Sequence, residues 1–109
     1  YRSILSPKSY VLLAAAGHSL IGYCIVRLEK AEPATLLWIY VDAMARGMGV
    51  GHSLVQGALQ RAKRYESPAM QLLTHNREDF FARHSFSSVR RIPGMLAGVD
   101  MIIMRAELS

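Results

Sequence analysis

Arg46, Gly47, Gly49 and Gly51 fall within the ten residues "ARGMGVGHSL", and what they offer is main-chain chemistry. A residue without Cβ lets successive amides turn inward and lets a ligand approach the backbone closely. An apolar strand pattern precedes the run and a helical pattern follows it. The amides therefore open a helix, where they lack internal partners and gain the positive end of the dipole. Such a turn invites an anion, and a pyrophosphate is its natural guest. Three glycine patterns build turns of this kind. A P-loop needs a lysine after its last glycine, and His52 stands there instead. A dinucleotide fingerprint counted from Gly47 needs its third glycine at the place of His52, and counted from Gly49 at the place of Leu54. The third pattern, Gln/Arg-x-x-Gly-x-Gly/Ala after an apolar strand, is met by Arg46, Gly49 and Gly51. A tight strand-to-helix turn without a ligand is the other reading of the same residues.

Few side chains offer competing chemistry. Cys24 is the one cysteine, so no disulfide forms within the chain, and a reducing compartment, the cytoplasm, is the expected location. Within its strand-like stretch Cys24 reads as a small buried residue. His18, His52, His75 and His84 show no metal-ligand spacing, so no metal is expected. Met44, Met48, Met95, Met101 and Met104 read as core or turn residues. Asp42 reads as the start of the turn, and Thr74 and His75 end the strand after the helix. No general base follows from these positions.

The elements that must hold the turn are legible from periodicity. "SYVLLAAAGHSLIGYCIVRLEK" reads as two strands joined as a hairpin near Gly17 and His18, and "TLLWIYVD" as a buried strand. Val50, Leu54, Val55, Ala58, Leu59 and Ala62 recur at three- and four-residue spacing, which is one face of an amphipathic helix. Pro68, in "YESP", stops it. "AMQLLT" is a further strand. "REDFFARHS" is a short helix with Asn76 as its cap and acids in its first turn. "FSSVRRI" and "VDMIIMRAEL" are the last strands, with "PGMLAG" as a turn or loop between them. The fold class is α/β (α+β) in the order β-β-β-α-β-α-β-β. Hairpins give antiparallel pairs and each helix crossover a parallel one.

Composition narrows the function. The 109 residues suit one domain, with enough chain to bury roughly 65% of the surface exposed on unfolding. Apolar residues make up 51%, which excludes a disordered chain. No apolar run approaches the ~18 residues that span a bilayer, so no membrane partner is expected. Residues 1–10 carry charge and Pro7 where a secretory signal would be apolar. The net charge of +5 includes Arg61, Lys63 and Arg64 after the glycines, and Arg77, Arg83, Arg90 and Arg91 further on. No dense basic run interleaves with aromatics, so nucleic acid is not an expected partner; a small polyanion fits the charge.

"LLWIYVDAMARGMGVGHSLVQGAL" resembles motif A of the GNAT superfamily of acetyl-CoA-dependent N-acetyltransferases, and "LLTHNREDFFARHSF" resembles its motif B. The resemblance covers nearly the whole chain, residues 9–108. It implies acetyl-CoA as cosubstrate, with the pantetheine arm along Ile39, Tyr40 and Val41. The amides of Gly47, Met48, Gly49, Val50, Gly51 and His52 would hold the pyrophosphate, with Arg46 closing the turn. It implies direct attack of an amine on the thioester, the acceptor being a small molecule, an amino acid or a peptide. "LLTHNREDFFARHSF" is closest to a branch that includes N-acetylglutamate synthase-like enzymes, which points to an amino-acid or other small amine. Two departures stand out. Phe81 occupies the place of the family's usual tyrosine acid, and Ser85 that of the glycine before its aromatic, here Phe86. Tyr40 replaces that acid only if its side chain faces the cleft. The family also begins with a further strand and a helix pair, which this sequence starts too late to contain; a truncated piece, an open acceptor site and one completed by a homodimer partner all remain readings. The alternative function is a non-catalytic acyl-CoA-binding regulatory module.

Overall fold

Short apolar runs bounded by serine, glycine and arginine build the first hairpin. β1 (Ser9–Ala16) and β2 (Ser19–Arg27) pair antiparallel, and Gly17 takes the left-handed backbone the turn needs. β3 (Ala34–Val41) adds to β2, and a single 3₁₀ turn, Ala43–Ala45, leads into α1 (Val50–Arg64). β4 (Ala69–Thr74), α2 (Glu78–Ala82), β5 (Ser87–Leu96) and β6 (Val99–Glu107) complete the chain. The computed structural model describes residues 9–28 and 31–108. The reading of residues 1–10 as lacking a signal falls mostly outside them.

The six strands form one sheet in the order β1-β2-β3-β4-β6-β5. Its element order is the one expected from the sequence. Only β3 and β4 pair parallel, across the α1 crossover. The α2 crossover was expected to give a second parallel pair. It does not, because β6 inserts between β4 and β5 and pairs antiparallel with both. The turn expected within "PGMLAG" is confined to its last two residues. β5 runs on to Leu96 and the chain turns at Ala97 and Gly98, both in left-handed backbone. Pro93 has no N–H to give to the ladder, and the register with β6 slips between Ile92 and Leu96 to absorb it.

α1 lies on one face of the sheet. Its expected apolar face is its buried one: Leu54, Val55, Ala58 and Ala62 pack with Cys24, Val26, Leu36, Met70 and Leu72. Burying one of the larger of these side chains is worth roughly 1.5–3 kcal/mol. Cys24 is fully buried with its Sγ 3.9 Å from the Leu54 carbonyl oxygen, and burial pushes its thiol up to about 11. It is a core residue and an inert one. The basic residues Arg61, Lys63 and Arg64 occupy the last turn of α1, where the dipole favours cations. Phe81 and Phe86 close the core beneath α2 in an edge-on contact with centroids 5.8 Å apart. No described helix is long and apolar enough to cross a bilayer.

Ser85, in the place of the glycine usual to the resembled family, has φ +70°. A side chain in that region costs roughly 1–2 kcal/mol, against about 0.4–1 kcal/mol that glycine loses through the unfolded chain. Ser85→Gly is therefore expected to stabilise the fold by about 0.5–1 kcal/mol. Thermal or urea unfolding checks this, and an unchanged or lowered midpoint refutes the strain at Ser85.

Candidate functional site

The parallel pairing of β3 and β4 is short. It joins Ala34 to Met70, Thr35 to Gln71 and Leu36 to Leu72, and there it ends. Leu37 is the cause on the β3 side. Against β2, Ile25 faces Trp38 and Val26 faces Leu36, so Leu37 is an extra residue, a bulge that bends the strand and adds twist. Beyond it β3 stays paired with β2 on one edge only, to Val41. Alternate main-chain groups of the 37–41 stretch thus face an open cleft instead of a neighbouring strand.

That cleft has a volume of about 640 Å³ and is lined by β3 from Leu36 to Val41, by the end of β4, by the glycine turn and by Phe80. Ile39, Tyr40, Val41, Arg46, Gly47, Gly49, Val50, Gly51 and His52 all line it. Met48 does not; its side chain is exposed at the crest of the turn. The cleft passes through the sheet. Ile39, Val41 and Phe80 lie on the α1 side, packed against the core. Trp38 and Tyr40, 57% and 42% exposed, lie on the opposite face, which no described helix covers.

The turn has the properties expected of an anion site. Asp42 starts it: its carboxylate accepts the Met44 amide at 3.3 Å, and its own amide donates to the Ile21 carbonyl. The Arg46 Nε reaches back to the Val41 carbonyl at 3.4 Å and ties the turn to the end of β3. Gly47 and Gly49 have φ of +83° and +81°, and a Cβ at either would meet open space; backbone conformation, not crowding, selects glycine there. At Gly51 the reason is space, because a Cβ would stand 3.2 Å from the Phe80 ring. Gly49 caps α1 with no side-chain bond, and the first backbone bond into the helix runs from the Ser53 amide to the Gly49 carbonyl at 3.0 Å. The amides of Val50, Gly51 and His52 come before it and have no carbonyl partner among the described residues.

Other expected roles fall differently. Asn76 does not cap α2. Arg77 takes that place with no side-chain cap, and its amide donates to the Thr74 hydroxyl at 3.3 Å. Glu78 and Asp79 sit in the first turn as expected. Phe81 is buried against Phe80 and Phe86, so a ring without a hydroxyl stands at the resembled family's acid position. Tyr40 does reach the cleft, tilted against Tyr23 with centroids 5.6 Å apart. Among the described residues no group of His, Cys, Asp and Glu is placed to hold a metal ion.

The sequence reading missed two features. Gly22 lets the sheet meet α1, since a Cβ there would stand 2.9 Å from the Tyr40 carbonyl oxygen and 3.0 Å from Val50. Its only sequence signal was a glycine inside a strand pattern. The second is a polar chain between the helices. His52 Nδ1 lies 2.7 Å from His84 Nε2, and His84 Nδ1 lies 2.9 Å from Gln56 Nε2. Gln56 and His52 share a helix face at four-residue spacing, but nothing local joins them to His84.

A sheet split beside a helix N-terminus leaves main-chain groups of both open to one cleft. The family model "Acetyltransferase (GNAT) domain" matches residues 7–88, and the chain belongs to the GNAT acetyltransferase family, whose members depend on acetyl-CoA. No curated protein matches it in sequence. Among solved structures it is similar to the ribosomal-protein-S18-alanine N-acetyltransferase from Escherichia coli, at TM-score 0.87 and 17% identity over 98% of this chain and 74% of that one. It is also similar to a GNAT family acetyltransferase from Elizabethkingia anophelis with acetyl-CoA bound, at TM-score 0.84 and 17% identity over 93% and 77%. A third is the IAA acetyltransferase from Bacillus cereus, at 0.84 and 19% over 93% and 79%.

His84 gives the site a pH signature. Burial, and then the charge of His52, hold its imidazole below the ordinary value. The unfolded chain therefore takes up this proton first, near pH ~6.5, and the folded protein only at lower pH. The stability is fully present above about pH 6.5 and is lost as pH falls through the folded value. Melting temperatures measured downward from neutral pH are expected to fall, and His84→Leu to flatten the fall. An equal slope in the variant would remove His84 as its source.

Proposed function

We propose that this protein transfers the acetyl group of acetyl-CoA to a primary amine of a small molecule, an amino acid or a peptide. The observation that carries the reading is the through-sheet cleft, with free amides at one mouth and an open aromatic face at the other. The pyrophosphate would sit on the amides of Gly47, Met48, Gly49, Val50, Gly51 and His52, with Arg46 bracing the turn from behind. The pantetheine arm would run along Ile39, Tyr40 and Val41 and complete the hydrogen bonding that β4 leaves unmade. The thioester then comes to the middle of the sheet, and the acceptor approaches from the side of Trp38 and Tyr40.

The chemistry needs little from side chains. The neutral amine nitrogen attacks the thioester carbonyl, and the carbonyl oxygen takes negative charge against main-chain amides of β3. The tetrahedral intermediate collapses by breaking the C–S bond. The amine proton passes to water, and the thiolate is protonated from water or from the Tyr40 hydroxyl. One similar structure is named for a protein alanine as acceptor, which keeps a peptide amine within the class.

Calorimetry with acetyl-CoA and a thiol-release assay across primary amines test the reading together. Binding with turnover of at least one amine is expected. Binding without turnover on any of them would favour an acyl-CoA-binding module, and no binding would sink both. Met48 supplies a control that leaves packing alone, since its side chain is 72% exposed at the turn. Met48→Glu is expected to weaken acetyl-CoA binding by about tenfold at low salt and by less at high salt, and Met48→Lys to strengthen it. Equal affinities for the two variants would place the anion elsewhere.

A further inference from the structure

The chain of His52, His84 and Gln56 is neither packing nor part of the main-chain chemistry above. It joins the first turn of α1 to the residues just after α2 through two short hydrogen bonds. His84 is 6% exposed, while His52 lines the cleft with its ring 4.8 Å from that of Phe80. Donor and acceptor roles along the chain are not free. The Gln56 amide nitrogen can only donate, so His84 Nδ1 accepts. A neutral His84 then carries its proton on Nε2 and donates it to His52 Nδ1. A neutral His52 must in turn carry its proton on Nε2, the one ring nitrogen without a partner among the described residues.

We propose that His84 and Gln56 are positioning residues: they hold the His52 proton on Nε2, so that this N–H donates to a phosphate oxygen of acetyl-CoA seated at the glycine turn. The inference rests on the reading of that turn as the acetyl-CoA pyrophosphate site. It makes His52 a ligand through its side chain as well as through its amide. The wrong tautomer would be costly, because it would aim a lone pair at an anion. Burial, and then the charge that a protonated His52 would carry, lower the His84 value and favour its neutral form. Its other ring contact is Phe80, which carries no charge.

Gln56→Glu tests the relay, since residue 56 is exposed and the change alters no volume. A carboxylate accepts where the amide donated. At low pH His84 is then doubly protonated, still donates from Nε2, and leaves His52 as it was. As pH rises His84 keeps only the proton shared with Glu at 56. Its Nε2 becomes an acceptor, His52 moves its proton to Nδ1, and the bare Nε2 faces the phosphate. Calorimetry is run with acetyl-CoA between about pH 6 and about pH 8.5, across the range in which imidazoles titrate. Wild-type affinity is expected to change less than about twofold, and that of Gln56→Glu to fall about tenfold as pH rises. Loss of the second His84 proton also removes a positive charge, and that part of the slope would persist without the His52 ring. In a His52→Ala background the slope should shrink to that part, because no ring carries the tautomer to the phosphate. A wild-type protein that binds acetyl-CoA alongside a Gln56→Glu variant with no added slope overturns the relay alone. A slope undiminished in the His52→Ala background overturns it as well. A folded wild type that binds no acetyl-CoA at any pH overturns the relay and the proposed function together.

Discussion

The interaction on which the rest depends is one that stops. The β3–β4 ladder holds for three register positions and then opens at the Leu37 bulge. An unmade ladder bond inside a protein carries a desolvation cost when its groups are sealed from water. Here they face a cleft wide enough to be wetted, and equally wide enough for a ligand with amides of its own. The parallel pairing is also what brings α1 back across the sheet. One crossover therefore sets both the split in the sheet and the position of the helix N-terminus beside it.

The side chains around the open amides of the turn serve mostly to place the backbone. Asp42 and Arg46 tie down the turn from two sides, and Gly51 lets α2 approach through Phe80. Phe81 fits the same economy. It is a core ring beneath α2, and Tyr40 is a tyrosine that reaches the cleft. His52 is the exception, the turn residue whose side chain is held in a defined hydrogen-bonded state.

The sheet face opposite α1 has a different character. Leu13, Trp38, Tyr40 and Leu73 are exposed along it. The chain spans about three quarters of the length of the solved structures compared above. The family match over residues 7–88 takes in the glycine turn.

The glycine turn, the α1 core face and the order of elements were legible in the sequence because each rests on local rules. Positive φ demands glycine, a helix repeats every three to four residues, and a strand alternates. The neighbours of each strand were not legible. β6 inserts beside β4 through pairings some thirty residues distant, and no local pattern encodes which edge a late hairpin will choose. The bulge at Leu37 was hidden for the same reason, being a mismatch between two strands and a property of neither alone. So was the meeting of His52 with His84, thirty-two residues apart. The amino-acid order by itself determined the glycine turn and the helix it opens. Tertiary packing alone decided that a cleft opens beside it and which side chain leans in, because both are set by what lies across the sheet and not by what comes next along the chain.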